Sequence, residues 1–157
     1  MGRKSVPTAK KKIMGNPGRR PLPASEPKPK RSLPFAPSHL SSEAVEEWSR
    51  VVVSLHKCGI MTEIDRAALG AYCQAYGRWA QAEKALAKMA ERDGVAFGLM
   101  VKTTNGNIVQ NPLVGAANKS MSDMVRYAAE FGMTPSARTR INASDEPEND
   151  PADKFLN

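Results

Sequence analysis

Residues Thr62 to Arg92 constrain this chain more than any other stretch. Ala68, Leu69, Tyr72, Ala75, Tyr76, Trp79, Ala82, Leu86 and Met89 recur there at steps of three and four. That spacing gathers side chains on one face of an α-helix. Thr62-Glu63-Ile64-Asp65 reads as a variant capping box, with Thr62 as cap and Asp65 three positions on. A helix of about 30 residues would be roughly 45 Å long. A shorter helix before it, from about Ser42 to Cys58, cannot cover a seam of that length. The pattern therefore predicts a third helix or another subunit against the long one.

The shorter helix has its own signals. Ser41 or Ser42 caps it, Glu43, Glu46 and Glu47 suit the positive end of its dipole, and Gly59 stops it. Val45, Trp48, Val51, Val52 and Leu55 form the expected apolar stripe. After Gly94, the runs Val95–Val101 and Ile108–Gln110 flank Thr103-Thr104-Asn105-Gly106-Asn107. An Asn-Gly between such runs predicts a β-hairpin over about 95–110. A lone hairpin is marginal in water, so it must lean on helices or join strands from a neighbour. Asn111-Pro112 then opens a further helix, with Leu113, Ala116, Ala117, Met121, Met124, Val125, Ala128 and Phe131 on its buried face and Gly132 as its stop. Thr134-Pro135 repeats the cap-then-proline device and opens a short helix carrying Arg138 and Arg140.

Charge and proline divide the chain into three parts. Residues 1–38 hold eight of the twelve prolines, so they read as a basic, extended arm outside any core. Ten basic side chains against the single acid Glu26 lie within residues 1–31: Arg3, Lys4, Lys10, Lys11, Lys12, Arg19, Arg20, Lys28, Lys30 and Arg31. Such a segment favours contact with a polyanion through counterion release. Within it, Gly15-Asn16-Pro17-Gly18-Arg19-Arg20-Pro21-Leu22-Pro23 can be neither helix nor inner strand. Residues 39–141 form the helical domain. Residues 142–157 form an acidic tail, with Asp145, Glu146, Glu148, Asp150 and Asp153 against Lys154, ending in Phe155-Leu156. That tail either docks a partner, shields the basic arm, or serves only as a solubilising end.

The residues of most catalytic and cofactor chemistries are missing. No GxxxxGK[ST] loop is present to cradle a nucleotide phosphate. His39 and His56 have no metal-ligand partners at the usual spacings, and His56 reads as a capping or surface residue. Glu46 and Glu47 are adjacent, point apart on a helix, and read as dipole and solubility residues rather than an acid–base pair. The expectation is no enzyme, no cofactor and no metal. Cys58 and Cys73 belong to no CxxC motif and are expected to be buried free thiols. No apolar run approaches the roughly 20 residues of a membrane span, and no signal-peptide block is present, so a soluble intracellular protein is expected.

The remaining features have ordinary readings. Arg50, Lys57, Arg78, Lys84 and Lys88 are expected to face solvent. Trp48, Tyr72, Tyr76 and Trp79 are expected in a core or an interface rather than stacked on bases. The two helices around Gly59–Thr62 outline a helix-turn-helix, but the second is long and opens on Glu63, Ile64 and Asp65, a poor surface for a phosphate-lined groove.

An ordered set of phrases runs through the chain. Gly15-Asn16-Pro17-Gly18-Arg19-Arg20-Pro21-Leu22 precedes the helix with Trp48. Gly59-Ile60-Met61-Thr62 with Asp65 follows, then Tyr72-Cys73 with Tyr76, Arg78 and Trp79. Asn111-Pro112 and Phe131-Gly132-Met133-Thr134-Pro135-Ser136-Ala137-Arg138 close it. Over roughly residues 14–141 this resembles the small terminase subunits of tailed bacteriophages, in the branch with an N-terminal Gly-Asn-Pro-Gly basic motif. The resemblance implies a mainly α protein, with a long central helix and one hairpin, that assembles as a homo-oligomeric ring. It implies binding of double-stranded viral DNA at the packaging start site, in the host bacterial cytoplasm. It also implies recruitment of the large terminase subunit, which carries the ATPase and nuclease. By charge, DNA contact is expected on Lys10, Lys11, Lys12, Arg19, Arg20, Lys28, Lys30 and Arg31, with Arg138 and Arg140 in second place. The oligomer interface is expected on Leu69, Tyr72, Tyr76, Trp79 and Leu86. The competing reading is a helix-turn-helix DNA-binding regulator, monomeric or dimeric.

Overall fold

The computed structural model describes Gly15 and residues 21–22, 29–94, 96 and 98–138. The chain divides into two units, Met1–Lys30 and Arg31–Asn157. Every element below belongs to the second.

Helix α1 spans Ser42–Lys57, and the Ser41 side chain caps it by accepting from the Ala44 amide at 3.4 Å. Its apolar face runs through Ala44, Trp48, Val51, Val52 and Leu55. Val45 is not on that face as expected. Ala44 takes its place on the 3.6-residue repeat, and Val45 is left exposed. Gly59, at φ +67, reverses the chain: its amide donates to the His56 carbonyl and that of Ile60 to the Leu55 carbonyl.

The Thr62 amide donates to Asp65 Oδ2 at 3.0 Å, as the capping-box spacing anticipates. A short 3-10 turn, Glu63–Asp65, follows before α2 runs from Arg66 to Arg92. At 27 residues it is about 40 Å long. Its contacts explain how so long a seam is covered. Helix α1 lies antiparallel along it, with Trp48 near Gly70, Ala44 near Gly77 and Glu43 reaching Gln81 and Lys84. A third helix, α3 (Pro112–Glu130), packs along it more extensively still. Gly70 and Gly77 make close approach possible, because a Cβ on Gly77 would stand 2.5 Å from Ser41 Oγ. Ala68 and Met89 turn away from the buried face.

Strands β1 (Met100–Lys102) and β2 (Ile108–Gln110) pair antiparallel, with Val101 opposite Val109. The first strand is shorter than the expected run from 95. Gly98 and Leu99 form a turn, while Val95 and Phe97 lie outside the described residues. At the tip, the Gly106 amide donates to the Thr103 carbonyl, with Gly106 at φ +86. Asn111 fixes the base. Its side chain donates to the Gly98 carbonyl at 2.7 Å and caps α3 by accepting from the Leu113 amide at 3.0 Å. Along α3, Ala117 and Ala128 are buried and Leu113, Met121 and Met124 half-buried, but Ala116 and Val125 face outward. Gly132 ends α3, and Thr134 caps the short α4 (Pro135–Arg138).

The core gathers Ala44, Trp48, Val51, Val52, Leu55, Met61, Leu69, Tyr72, Cys73, Ala128 and Phe131. Packed chain begins earlier than residue 39. Pro37 is buried, Leu33, Ala36 and Leu40 lie against the core, and Arg66 Nε donates to the Phe35 carbonyl at 2.8 Å. Proline-rich sequence lies here as an extended strap, because a side chain of α2 supplies hydrogen bonds that the strap's own backbone lacks.

Candidate functional site

Of the ten expected DNA-contact residues, Lys10, Lys11, Lys12, Arg19, Arg20, Lys28 and Arg140 lie outside the described residues. Lys30 is exposed, and Arg31 is half-buried in a β-bridge with Thr62. Arg138 is exposed at the end of α4.

Arg138 stands at a groove. Helix α1, the turn at Cys58–Ile60, the last turns of α3 and residues 131–134 enclose about 640 Å³. Val51, Leu55, Met124, Ala128 and Phe131 make its surface apolar, while Arg50 and Arg138 are its charged lining residues. The volume lies in the range of recognition pockets. Val125, 56% exposed, lines it from α3.

A buried carboxylate sits behind Arg50. Glu47 is only 4% exposed. It accepts from Arg50 Nε at 2.7 Å, from Arg50 Nη2 at 2.6 Å and from the Tyr72 hydroxyl at 2.7 Å. This corrects the reading of Glu47 as a solvated dipole residue. On the repeat that buries Ala44, Trp48 and Val51, position 47 faces α2, and only a partnered carboxylate can remain there. The signal was present in the sequence as an arginine three residues on and a tyrosine on the seam of the next helix. Arg50 does face solvent, but its fork is held, and the hydrogen bond to Glu47 raises its already high pKa. Burial, then the Glu47 hydrogen bond, drives the Tyr72 pKa upward. Burial pushes the Cys73 thiol up to about 12, with the Glu47 charge adding to it.

Two further readings change. Cys73 is buried as expected, but Cys58 caps the end of α1 and is exposed; both are free thiols. His56 is buried rather than on the surface. Among the described residues, no group of three His, Cys, Asp or Glu could hold a metal ion, and no helix is long and apolar enough to cross a membrane.

Of the expected interface residues, Leu69, Tyr72 and Leu86 are buried within the chain itself. Tyr76 and Trp79 keep part of their rings exposed and meet edge to face, with centroids 5.8 Å apart. A second apolar surface lies on the hairpin and the turn before it, where Leu99, Met100, Ile108 and Val109 are exposed, Ile108 by 70%. No sequence signal marked these four as the solvent-facing residues of the hairpin.

Among known families, the one described as phage terminase, small subunit, matches residues 44–148. The matched span begins in α1, takes in α2, the hairpin, α3 and α4, and continues past Arg138. Searches of curated proteins and of solved structures return no match.

Proposed function

We propose a regulatory, DNA-binding part in viral genome packaging, on one premise: the chain belongs to the phage terminase small-subunit family. It binds double-stranded viral DNA at the packaging start site. It recruits and regulates the large terminase subunit, and catalyses nothing itself. The observation that carries the DNA contact is the run of ten basic side chains against one acid in residues 1–31. Lys10, Lys11, Lys12, Arg19, Arg20, Lys28, Lys30 and Arg31 supply phosphate contacts, and Arg138 and Arg140 add to them. Proline favours extended backbone, and phosphate contact needs reach more than shape.

The working form is a homo-oligomeric ring. Tyr76, Trp79 and the exposed hairpin residues are the surfaces through which copies meet, since Leu69, Tyr72 and Leu86 already face their own core. A two-stranded hairpin gains most from a neighbour's strands, and a repeated heterologous contact closes into a ring.

The test is DNA binding by fluorescence anisotropy over a salt series, with the full chain and with residues 1–31 deleted. Losing phosphate contacts should weaken binding and flatten the salt dependence, by roughly 0.9 in slope per contact removed. Unchanged affinity and slope in the deletion would rule the arm out. Arg19→Ala with Arg20→Ala should weaken DNA binding and leave assembly intact. Native mass spectrometry tests the ring, and a mass of one or two chains would favour the helix-turn-helix regulator instead.

A further inference from the structure

The groove beside Arg138 is apolar inside, has Arg50 and Arg138 as its charged lining residues, and belongs to no contact described so far. The chain continues from Arg138, one of its lining residues, into residues 139–157. That continuation contains Asp145, Glu146, Glu148, Asp150 and Asp153, and then the apolar pair Phe155-Leu156. We propose that the groove is the docking site for this acidic segment of its own chain, with Phe155 and Leu156 against Leu55, Met124 and Phe131 and the acids near Arg138.

Three observations converge on that occupant. The charges are complementary: the segment has five acids and one lysine, and the groove's two charged lining residues are both arginines. Arg50 is already engaged by Glu47, so Arg138 is the cation that acids passing over the groove would meet. The chemistry is graded in the right order, because the acids come first along the chain and the apolar pair comes after them. The tether is short: 17 peptide steps separate Arg138 from Phe155, and a coil of that length reaches roughly 20–25 Å. Such a tether holds the segment at a high effective concentration beside the groove, so even modest contacts suffice.

Cys58 supplies a reporter, since it lines the groove and its thiol is exposed, whereas Cys73 is buried. In the full chain, alkylation of Cys58 should speed up roughly tenfold when Phe155→Ser and Leu156→Ser remove the apolar pair. Val125→Glu, which adds an acid to the groove at an exposed position, should speed it comparably, and Val125→Lys should not. Equal rates in wild type, the Phe155→Ser/Leu156→Ser chain and Val125→Glu would overturn the proposal. As a second readout, Phe155→Cys should form a disulfide with Cys58 under mild oxidation, within one chain on a denaturing gel. Absence of that disulfide, or cross-linked pairs of chains in its place, would equally overturn docking by the chain's own segment.

Discussion

Replacing Tyr72 by phenylalanine removes one hydroxyl and leaves the ring to pack as before. That hydroxyl donates at 2.7 Å to Glu47, a carboxylate 4% exposed. A hydrogen bond to a charged group contributes about 1.5–3 kcal/mol to stability. Glu47 keeps both bonds from Arg50 in the variant, so the carboxylate is not stripped of partners. The loss then belongs at the lower end, about 1.5–2 kcal/mol. In a body near 100 residues each kcal/mol moves the melting temperature by roughly 4 °C or more, so the drop should be at least ~6 °C. Thermal unfolding by circular dichroism measures it, at one fixed protomer concentration because assembly shifts the midpoint. Tyr127→Phe is the control: Tyr127 is only half-buried, its hydroxyl accepts from the exposed Arg126 at a long 3.5 Å, and the change should move stability by no more than about 0.5 kcal/mol. If the two variants melt together, the buried Glu47–Tyr72 contact does not hold α1 to α2, and the reasoning fails.

Four other outcomes follow from the same geometry. Gly77→Ala would push a Cβ to 2.5 Å from Ser41 Oγ and 3.1 Å from Ala44 Cβ, so it should cost about 1–2 kcal/mol even after its gain in helix propensity. Gly115→Ala meets nothing within 4 Å and should gain about 0.5–1 kcal/mol, both effects read from urea midpoints at unchanged m. The Glu43 carboxyl is held down to about 2 by its own backbone amide first, then by Gln81, Lys84 and Ser42. Its contribution is therefore present above the ordinary value of 4.5 and is lost as pH falls toward 2, so Glu43→Gln should flatten the acid limb of a stability–pH curve in that window. Burial makes the Cys73 thiol a poor nucleophile, so a thiol reagent should titrate one cysteine per native chain and both after unfolding.

The helices were legible because their signals are local. Ser41, Asn111 and Thr134 cap where sequence places caps, and Gly59 and Gly132 reverse the chain where it places stops. The long seam was legible too, down to its need for a third helix. Which residues fill the interhelical contacts was not. Ala44 rather than Val45 faces the core because α2 approaches at Gly77, a long-range fit that composition does not encode. Glu47 looked like a first-turn acid because its two partners come from another turn and another helix. Arg138 was singled out for its charge alone. Its position beside an apolar groove depends on where residues 131–138 carry it relative to α1, which no local pattern states.

Asn111 touches three parts of the body at once. Its amide meets Met89 Sδ on α2 at 3.1 Å and the Gly98 carbonyl ahead of β1, and its oxygen holds the first turn of α3. A Cβ on Gly98 would stand 2.6 Å from the Leu86 carbonyl, so glycine is what lets the turn before β1 lie this close to α2. The hairpin is thus clamped at its root and bare along its length. A load applied to the strands reaches α2 and α3 through the hydrogen bonds of Asn111. Mutational drift in Met100, Ile108 or Val109 can retune what the strands grip, while the stiffness of the mount stays with Asn111.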